Sequence, residues 1–590
     1  MRRNLVLSLT ALLAVGAVTG SLFIGPAPPA QAGTHAPPKF YPNRWVFVFL
    51  NLQSDSHVEQ IRQIARTASV HGLNGMLLSG SLDALEFQSD AYFQRLEEVK
   101  RIAAENSLEI IPTGFSAGYG GAALYRKNRN LAEGLQVKDA LFVVAGNQAR
   151  LRPDPPVAFV NGDFEQFTGN QFPSYRFHDR PGEITFADTN VFHGGRASIR
   201  FENFGNFDVG NGRVMQEIPV QPHRCYRATV WVKTEALSPV SAFNFTVIGT
   251  PSAKTLAYMS PNVAASGEWR QIHIAFNSGP DTVARIYAGV WGGRSGKFWL
   301  DDFSVEEIGL TNVLRRSGTP LTVRGEGSGI TYEEGRDYAA VSDPALNFRF
   351  DHEGPSIYLI PGGRIQDGER LRVGYYHGTN VYNGQVSLCM SEPEVYEIWA
   401  DQARRVRERL PFSRWVIAMD EIRLAGSCEA CRKRGLSAAQ ILGDCLTRQF
   451  QILRNLNPSA EIFTYSDMLD PNHNARPNYY LVEGDYTGSW LYAPRELTIV
   501  CWYYSKRRQS LAHFSGLGFR TYGSAYYDSG TLDNTAGWLE TLDETPGAAG
   551  IMYTTWEDQY DLLGPFGDLV SRHWRQPAPR VFRPTPGRSR

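Results

Sequence analysis

The chain has 590 residues, too long for one hydrophobic core, so roughly three or four domains are expected. Its 59 basic and 60 acidic residues leave a formal net charge of -1, which argues against nucleic acid or an anionic membrane as the main partner. The 12 Trp, 27 Tyr and 32 Phe residues suit a carbohydrate ligand, but aromatic rings also fill β-sandwich cores.

The first 32 residues have the pattern of a secretory signal peptide. Arg2 and Arg3 precede an apolar stretch over 5–24, and Ala30-Gln31-Ala32 matches a cleavage site, with an uncleaved anchor as the alternative. The sequence contains no second apolar stretch of membrane-spanning length, so no stable membrane span is expected after signal removal. We therefore expect a protein that is secreted, periplasmic or attached to the cell surface.

Residues 33–150 are predicted to form the first part of an α/β domain. Apolar runs at 44–50, 75–78 and 109–113 have the length of buried strands. Between them, apolar residues recur at helical spacing over 58–68 and 93–103. This order of strands and helices is typical of a parallel sheet.

From about residue 141 to about 394 the pattern changes to short alternating strands, which predicts an all-β insertion of two modules. The first, 157–308, contains motifs that resemble the jelly-roll carbohydrate-binding modules of secreted glycoside hydrolases, at 161–165, 194–200, 226–232, 267–274 and 298–305. The resemblance implies a structural Ca²⁺ near the first and last strands, with Glu165 and Asp302 as predicted ligands among the available acids. The second, 309–378, is predicted to be a small β module.

Residues 385–575 return to the helix and strand pattern. Predicted strands lie at 415–420, 461–467, 497–502, 519–525 and 550–556. Together with the first three strands they make eight, the number of a (β/α)₈ TIM-type barrel, here interrupted by the inserted β modules. The tail over 576–590, rich in Pro and Arg, is predicted to be disordered.

Carboxylates and aromatic residues follow the strands of the second half, at the face of a barrel where active sites form. They are Asp420, Glu421, Asp467, Trp502, and the residues at 526–528 and 556–558. Glycoside cleavage needs an acid that protonates the leaving oxygen and a negative group that supports the transition state. The sequence therefore predicts a glycoside hydrolase that binds an oligosaccharide or polysaccharide and needs no cofactor for catalysis.

The order of these motifs resembles glycoside hydrolase family 20, the β-hexosaminidases. The matching positions are Asp420-Glu421, Tyr465 to Asp467, Tyr526 to Asp528, and Trp556-Glu557. The resemblance implies cleavage of β-linked N-acetylhexosamine glycans, with the substrate's own 2-acetamido oxygen as nucleophile.

It also implies roles for several of these residues, with Asp467 among the predicted substrate-binding residues. Glu421 would be the general acid, and Asp420 would orient the acetamido group. Tyr526 would hydrogen-bond the acetamido oxygen, Trp502 and Trp556 would wall the pocket, and Glu557 would bind distal hydroxyls. Arg423 and His473 are further candidates for sugar contacts, with a surface ion pair and a loop histidine as the alternatives.

Two other functions fit the same residues. A retaining glycosidase would use Glu557 or Asp467 as a protein nucleophile, with its two carboxyls about 5–5.5 Å apart. A secreted glycan-binding protein would have the barrel without the activity.

The spacing of Cys428 and Cys431 is that of a metal knuckle or a redox pair. The sequence has no second motif of this kind and no nearby pair of histidines, as a closed zinc site would require. In an exported protein, a local disulfide that braces the loop after Glu421 is the favoured expectation.

Overall fold

The computed structural model describes residues 41–572, so the predicted signal peptide and tail lie outside the described residues. The chain begins with β1 (Asn43–Val48), α1 (Asp55–Val70), β2 (Gly75–Leu78), α2 (Asp90–Glu105) and β3 (Glu109–Gly114). The buried side of α1 is the apolar stripe that the sequence predicts, formed by Val58, Ile61, Ile64, Ala65 and Ala68. Helix and strand periods therefore place these elements correctly.

Two strands, β4 (Leu135–Ala145) and β5 (Gln148–Leu151), come before a β sandwich of ten strands. Those ten are β6 (Phe177–His178), β7 (Thr185–Asp188), β8 (Ser198–Phe201), β9 (Gly212–Pro219), β10 (Cys225–Ser238), β11 (Phe243–Thr250), β12 (Thr255–Met259), β13 (Gly267–Asn277), β14 (Val283–Val290) and β15 (Ser295–Glu307). They form two five-stranded antiparallel sheets, in the orders β13-β10-β15-β8-β7 and β12-β11-β14-β9-β6. The sheets enclose an apolar core of their own, as sandwiches of this class do.

Four more strands follow: β16 (Thr322–Gly325), β17 (Thr331–Tyr332), β18 (Ile357–Tyr358) and β19 (Arg370–His377). They combine with β4 and β5 into one six-stranded sheet, in the order β17-β16-β19-β4-β5-β18. The predicted barrel boundary at residue 150 therefore differs from the structure, in which β4 pairs with β19. The reason is packing, because Phe142 and Val144 share a buried cluster with Val323 and Leu371.

The remaining elements complete the barrel. They are α3 (Pro393–Arg409), β20 (Arg414–Ile417), β21 (Leu424–Ala425), α4 (Glu429–Arg432), α5 (Ala438–Leu456), β22 (Glu461–Tyr465), β23 (Leu481–Val482), β24 (Thr498–Cys501), α6 (Arg507–Gly516), β25 (Arg520–Tyr526), α7 (Asp533–Glu544), β26 (Ala548–Thr554) and α8 (Leu563–Arg572). Ser437 and Gln440 form the predicted capping box at the start of α5.

Eight parallel strands close into a barrel in the order β1-β2-β3-β20-β22-β24-β25-β26. These are the eight strands that the sequence predicts, so the strand count on both sides of the insertion is confirmed. Trp45 fills the interior between Phe463 and Tyr522, with ring centroids 4.8 and 4.7 Å away. Between β22 and β24, where every residue is described, short turns and β23 stand in place of an α-helix. Over residues 41–572, the structure contains no helix with the length and apolar character needed to cross a membrane.

Candidate active site

Asp420 and Glu421 lie beyond the end of β20, at the mouth of the barrel. Glu421 has a left-handed backbone with a φ of +51°, which interrupts the strand alternation between the two acids. Such a conformation costs a non-glycine residue about 1–3 kcal/mol and requires support from its surroundings. The support comes from two hydrogen bonds: the Glu421 N–H donates to Asp467 Oδ2 at 2.8 Å, and Gln385 Nε2 donates to the Glu421 carbonyl oxygen at 2.8 Å.

The Glu421 carboxylate is bound by a cation and a hydroxyl group. Its Oε1 lies 2.9 Å from Arg423 Nη2, and its Oε2 accepts a hydrogen bond from the Tyr119 hydroxyl. Arg423 is buried, with the rings of Tyr382 and Tyr480 at 4.2 and 5.2 Å from its guanidinium carbon. Arg423 therefore forms a buried ion pair within the site, and a surface ion pair is excluded.

Sequence reasoning missed Tyr119, which lies in the glycine-rich loop after β3. Burial, followed by the charge of Glu421, raises the pKa of Tyr119 well above its usual range. Its hydroxyl group therefore keeps its proton at neutral pH and donates to Glu421. The only sequence signal was the loop itself, because such loops allow a backbone to approach other elements closely. At Gly118 a Cβ would lie 2.2 Å from the Asp420 carbonyl oxygen.

Asp420 and Asp467 favour the protonated form. Asp467 is fully buried, and its carboxyl accepts from Asn474 Nδ2 at 2.9 Å and from Trp502 Nε1 at 3.4 Å, besides the Glu421 N–H. Burial raises the pKa of Asp467 to about 7. Burial, together with the charges of Asp467 and Glu421, raises the pKa of Asp420 well above its usual range.

An aromatic wall stands beside these acids. The rings of Trp502 and Tyr527 lie nearly parallel, with centroids 5.8 Å apart and planes 7° apart. His473 contacts Trp502 and Tyr503 at centroid distances of 4.3 and 4.5 Å. Burial lowers the pKa of His473 to about 3, so the ring is neutral at ordinary pH. Its Nδ1 has no hydrogen-bond partner among the described residues, which leaves a polar atom free within the wall.

The structure places Tyr527, rather than the predicted Tyr526, beside Trp502. Tyr526, Tyr527 and Asp528 have left-handed φ values of +72°, +53° and +52°, so the strand alternation ends before them. Tyr526 stacks on Tyr553 at 4.3 Å within the core outside the barrel interior. Burial and nearby acids, Asp420 among them, raise the pKa of Tyr527 well above its usual range.

Trp556 and Glu557 lie at the outer edge of the same mouth. Trp556 is 38% exposed and packs edge-on against Phe47 and Phe49, with centroids 5.1 and 5.5 Å away. The Trp556 backbone N–H donates to Asp528 Oδ2 at 2.8 Å. Glu557 is exposed and accepts from Gln559 Nε2 at 2.8 Å.

A cavity of 290 Å³ adjoins the Glu421 ion pair. Its lining consists of Tyr119, Tyr125, Tyr382, Asn383, Gly384, Gln385 and Arg423. One side rests on the β sandwich, because Tyr382 stacks on Tyr258 of β12 with centroids 4.4 Å apart and planes 14° apart. The sandwich therefore supports a wall of the site.

The two predicted calcium ligands already have protein partners. Glu165 accepts from the Ala197 N–H at 3.0 Å and from Arg196 Nε at 3.1 Å, and Asp302 Oδ2 lies 2.6 Å from His193 Nδ1. A calcium ion here would have to displace Arg196 and His193 from these carboxylates, and its binding stays a prediction.

The predicted disulfide between Cys428 and Cys431 is wrong for this structure, in which all six cysteines are free and buried. Both thiols instead contact a third, that of Cys389, at Sγ–Sγ distances of 3.4 and 3.6 Å. A disulfide would require about 2.05 Å.

Sequence comparisons give no match, neither to a protein-family model nor to a curated protein. Among solved structures, a chitobiase of Flavobacterium johnsoniae aligns over 90% of this chain and 48% of its own, at 8% identity and a TM-score of 0.34. A family 4 carbohydrate-binding module aligns over 25% of this chain and 99% of its own, at 14% identity and a TM-score of 0.20. A family 61 module solved with β-1,4-galactotriose aligns over 25% and 97%, at 19% identity and a TM-score of 0.19. The chain thus spans about half the length of the chitobiase and nearly all of each module.

Proposed function

We propose that the barrel mouth is the active site of a glycoside hydrolase whose two working carboxyls are Asp420 and Glu421. The observation that carries the proposal is their unequal surroundings. Glu421 faces the Arg423 cation and the Tyr119 hydroxyl, whereas burial and two neighbouring acids raise the pKa of Asp420. Glycoside cleavage requires two carboxyls with different roles, and their unequal surroundings allow such a division.

These surroundings favour a division of roles that is the reverse of the family 20 expectation. Asp420 holds the proton in the free protein, so we assign it the protonation of the leaving oxygen. Glu421, which is ion-paired with Arg423, is assigned the support of the positive charge that develops at the anomeric carbon. Asp467 acts through the other two, because its buried carboxyl fixes the Glu421 backbone and disfavours ionisation of Asp420.

The proposed substrate class is a β-linked N-acetylhexosamine glycan. The support is the chemistry beside Glu421: its carboxylate can accept the N–H of a 2-acetamido group, and the adjoining cavity offers Tyr382 and Gln385 as apolar and polar contacts. Trp502 and Tyr527 offer rings against which a sugar can pack. An oriented acetamido oxygen would then attack the anomeric carbon without a protein nucleophile.

A protein nucleophile fits less well. Asp467 has no exposed surface, and three donors already occupy its carboxyl oxygens. Glu557 lies in solvent at the outer rim, where it hydrogen-bonds Gln559. Neither carboxylate has the open line of approach that an attack on the anomeric carbon needs.

The test is a hydrolysis screen of the mature chain against aryl β-N-acetylglucosaminide, aryl β-N-acetylgalactosaminide and unsubstituted aryl hexosides. Asp420→Asn and Glu421→Gln should each lower kcat/KM by roughly 10²- to 10⁴-fold on the acetylated substrates. Glu540→Gln is the matched control, since it neutralises an exposed acid of α7 that forms an ion pair with Arg508. Its activity should equal that of the unsubstituted protein.

Two outcomes would contradict the proposal. Equal turnover by the unsubstituted protein and by both acid variants would remove these carboxyls from the chemistry. Cleavage of hexosides that lack the acetamido group, at rates equal to the acetylated ones, would leave the hydrolase but remove the substrate-assisted step.

A further inference from the structure

Four buried side chains from three distant segments meet beneath the loop that follows Glu421. Cys389 precedes α3, Cys428 and Cys431 flank the start of α4, and Glu133 lies just before β4. Their ligand atoms all lie within 4.8 Å of one another. Among the described residues, this is the one group of three or more His, Cys, Asp or Glu side chains that converge in this way.

We propose that these four residues bind one structural Zn²⁺ with tetrahedral coordination by three thiolates and one carboxylate oxygen. The distances fit a single ion at the centre. Cys389 Sγ lies 3.4 Å from Cys428 Sγ and 3.6 Å from Cys431 Sγ, while Glu133 Oε2 lies 3.7 and 3.5 Å from the same two sulfurs. Ligands at about 2.3 Å from a tetrahedral zinc are about 3.8 Å apart, so small outward shifts suffice.

The Glu133 carboxylate is oriented as a metal ligand would be. Its Oε1 accepts from the backbone N–H groups of Ser427 and Cys428, each at 2.8 Å, and from Ser427 Oγ at 3.0 Å. Its Oε2 lies 3.7 Å from Cys428 Sγ and 3.5 Å from Cys431 Sγ. Hydrogen-bond donors therefore hold one oxygen, and the other is directed at the sulfurs. Metal-ligating carboxylates are commonly oriented by hydrogen bonds of this kind.

A buried cation, Arg316, lies beside the cluster and also forms an ion pair with Glu392 at 2.7 Å. Three thiolates and one carboxylate around Zn²⁺ leave two net negative charges, which burial would otherwise penalise. Arg316 Nη1 lies 3.9 Å from Cys428 Sγ, and the guanidinium donates to the Asn130 and Ala132 carbonyl oxygens at 2.7 and 2.8 Å. These contacts hold Arg316 beside the cluster whether or not the ion is bound.

The type and the number of the ligands indicate which metal binds and what it does. Three sulfur ligands favour zinc over calcium or magnesium, which bind oxygen. Four protein ligands leave no open position for a substrate or a water molecule, so the site is structural. It would tie the segments before β4 and before α3 to the loop that begins at Glu421, and so fix the rim that carries the candidate acids.

The test is the metal content of the full mature chain after expression with zinc and purification without chelator. Mass spectrometry of the metal should give about one zinc per chain, and X-ray absorption should give three sulfurs near 2.3 Å and one oxygen near 2.0 Å. Less than about a tenth of a zinc per chain would overturn the proposal. A Cys428–Cys431 disulfide in the native protein, found by peptide mass mapping, would overturn it as well.

Variants assign the ligands independently of activity. Glu133→Gln keeps the side-chain shape and should weaken zinc binding by roughly tenfold or more in a chelator competition. Cys389→Ser should lose the zinc. Cys225→Ser is the matched control, because it alters a buried thiol of β10 far from the cluster along the chain, and it should retain a full zinc. If Cys389→Ser fails to fold, Glu133→Gln and the absorption spectrum of the unsubstituted protein still decide the question.

Discussion

Replacing Arg423 by Met removes the cation that faces Glu421 while it keeps an unbranched side chain between Tyr382 and Tyr480. The Arg423 and Glu421 side chains retain only 7% and 17% of their exposure, and the charged atoms are 2.9 Å apart. Removing one partner of a buried pair costs about 3–5 kcal/mol, because the other charge is left without compensation. At 1.36 kcal/mol per factor of ten in rate, about 3 kcal/mol corresponds to roughly a hundredfold.

The assay is kcat/KM of Arg423→Met on the acetylated aryl substrates, beside its free energy of unfolding in denaturant titrations. Because Met leaves the Glu421 carboxylate without the cation that positions it, kcat/KM should fall by roughly a hundredfold. Arg476→Met is the control, since it removes an exposed cation of the segment between β22 and β24 and should leave kcat/KM unchanged. Equal kcat/KM values for Arg423→Met and the unsubstituted protein would refute the role given to this ion pair.

Three further changes test the geometry around the acids. Gly118→Ala brings a Cβ to 2.2 Å from the Asp420 carbonyl oxygen. The variant should therefore lose about 1–3 kcal/mol of unfolding free energy in denaturant titrations and have a lower kcat. Unchanged values of both would contradict the close approach. Burial raises the pKa of Asp467 to about 7, so the folded state holds this proton to higher pH than the unfolded state, and stability declines as pH rises from about 4 to about 7. Between pH 5 and pH 7, the free energy of unfolding of Asp467→Asn should therefore fall by about 2–3 kcal/mol less than that of the unsubstituted protein. An equal fall in both proteins would refute the buried proton. Tyr527→Ala should lower kcat/KM by roughly tenfold through the loss of a ring contact, whereas Tyr526→Phe should change it little. A larger loss in Tyr526→Phe than in Tyr527→Ala would favour Tyr526 as the residue that contacts the substrate.

The barrel could be predicted from the sequence because its signals are local. Each strand is a short apolar run that ends in polar or aromatic residues, and each helix has a buried stripe at regular spacing. The sheet that contains β4 could not be assigned in the same way. Its partner β19 lies more than 200 residues later, and β4 alternates like any half-buried strand.

The candidate site was predictable by position but not in detail. Asp420 and Glu421 follow a barrel strand, which fixes their place at the mouth, but the partner of Glu421, Tyr119, lies 302 residues away in sequence. Tyr526 and Tyr527 have a left-handed backbone, so Tyr527 faces the site in place of Tyr526. This could not be predicted, because the rule that side chains alternate holds only for an extended strand.

The disulfide prediction for Cys428 and Cys431 was wrong for a related reason. The motif at Cys428 and Cys431 is visible in the sequence, whereas the two remaining ligands come from separate segments that only the fold brings together. One of them is a glutamate, a residue type that spacing rules for zinc motifs do not single out.

In the proposed mechanism, Asp420 carries the proton that the leaving group receives. The most direct test is the dependence of kcat/KM on the pKa of the leaving group, over a series of aryl β-N-acetylhexosaminides. An acid variant suffers most with poor leaving groups, because good ones depart without protonation. For Asp420→Asn, kcat/KM should therefore depend much more steeply on the pKa of the leaving group than it does for the unsubstituted protein. For Glu421→Gln, kcat/KM should fall by a similar factor on every substrate. A steep dependence in Glu421→Gln with a flat one in Asp420→Asn would contradict the assignment.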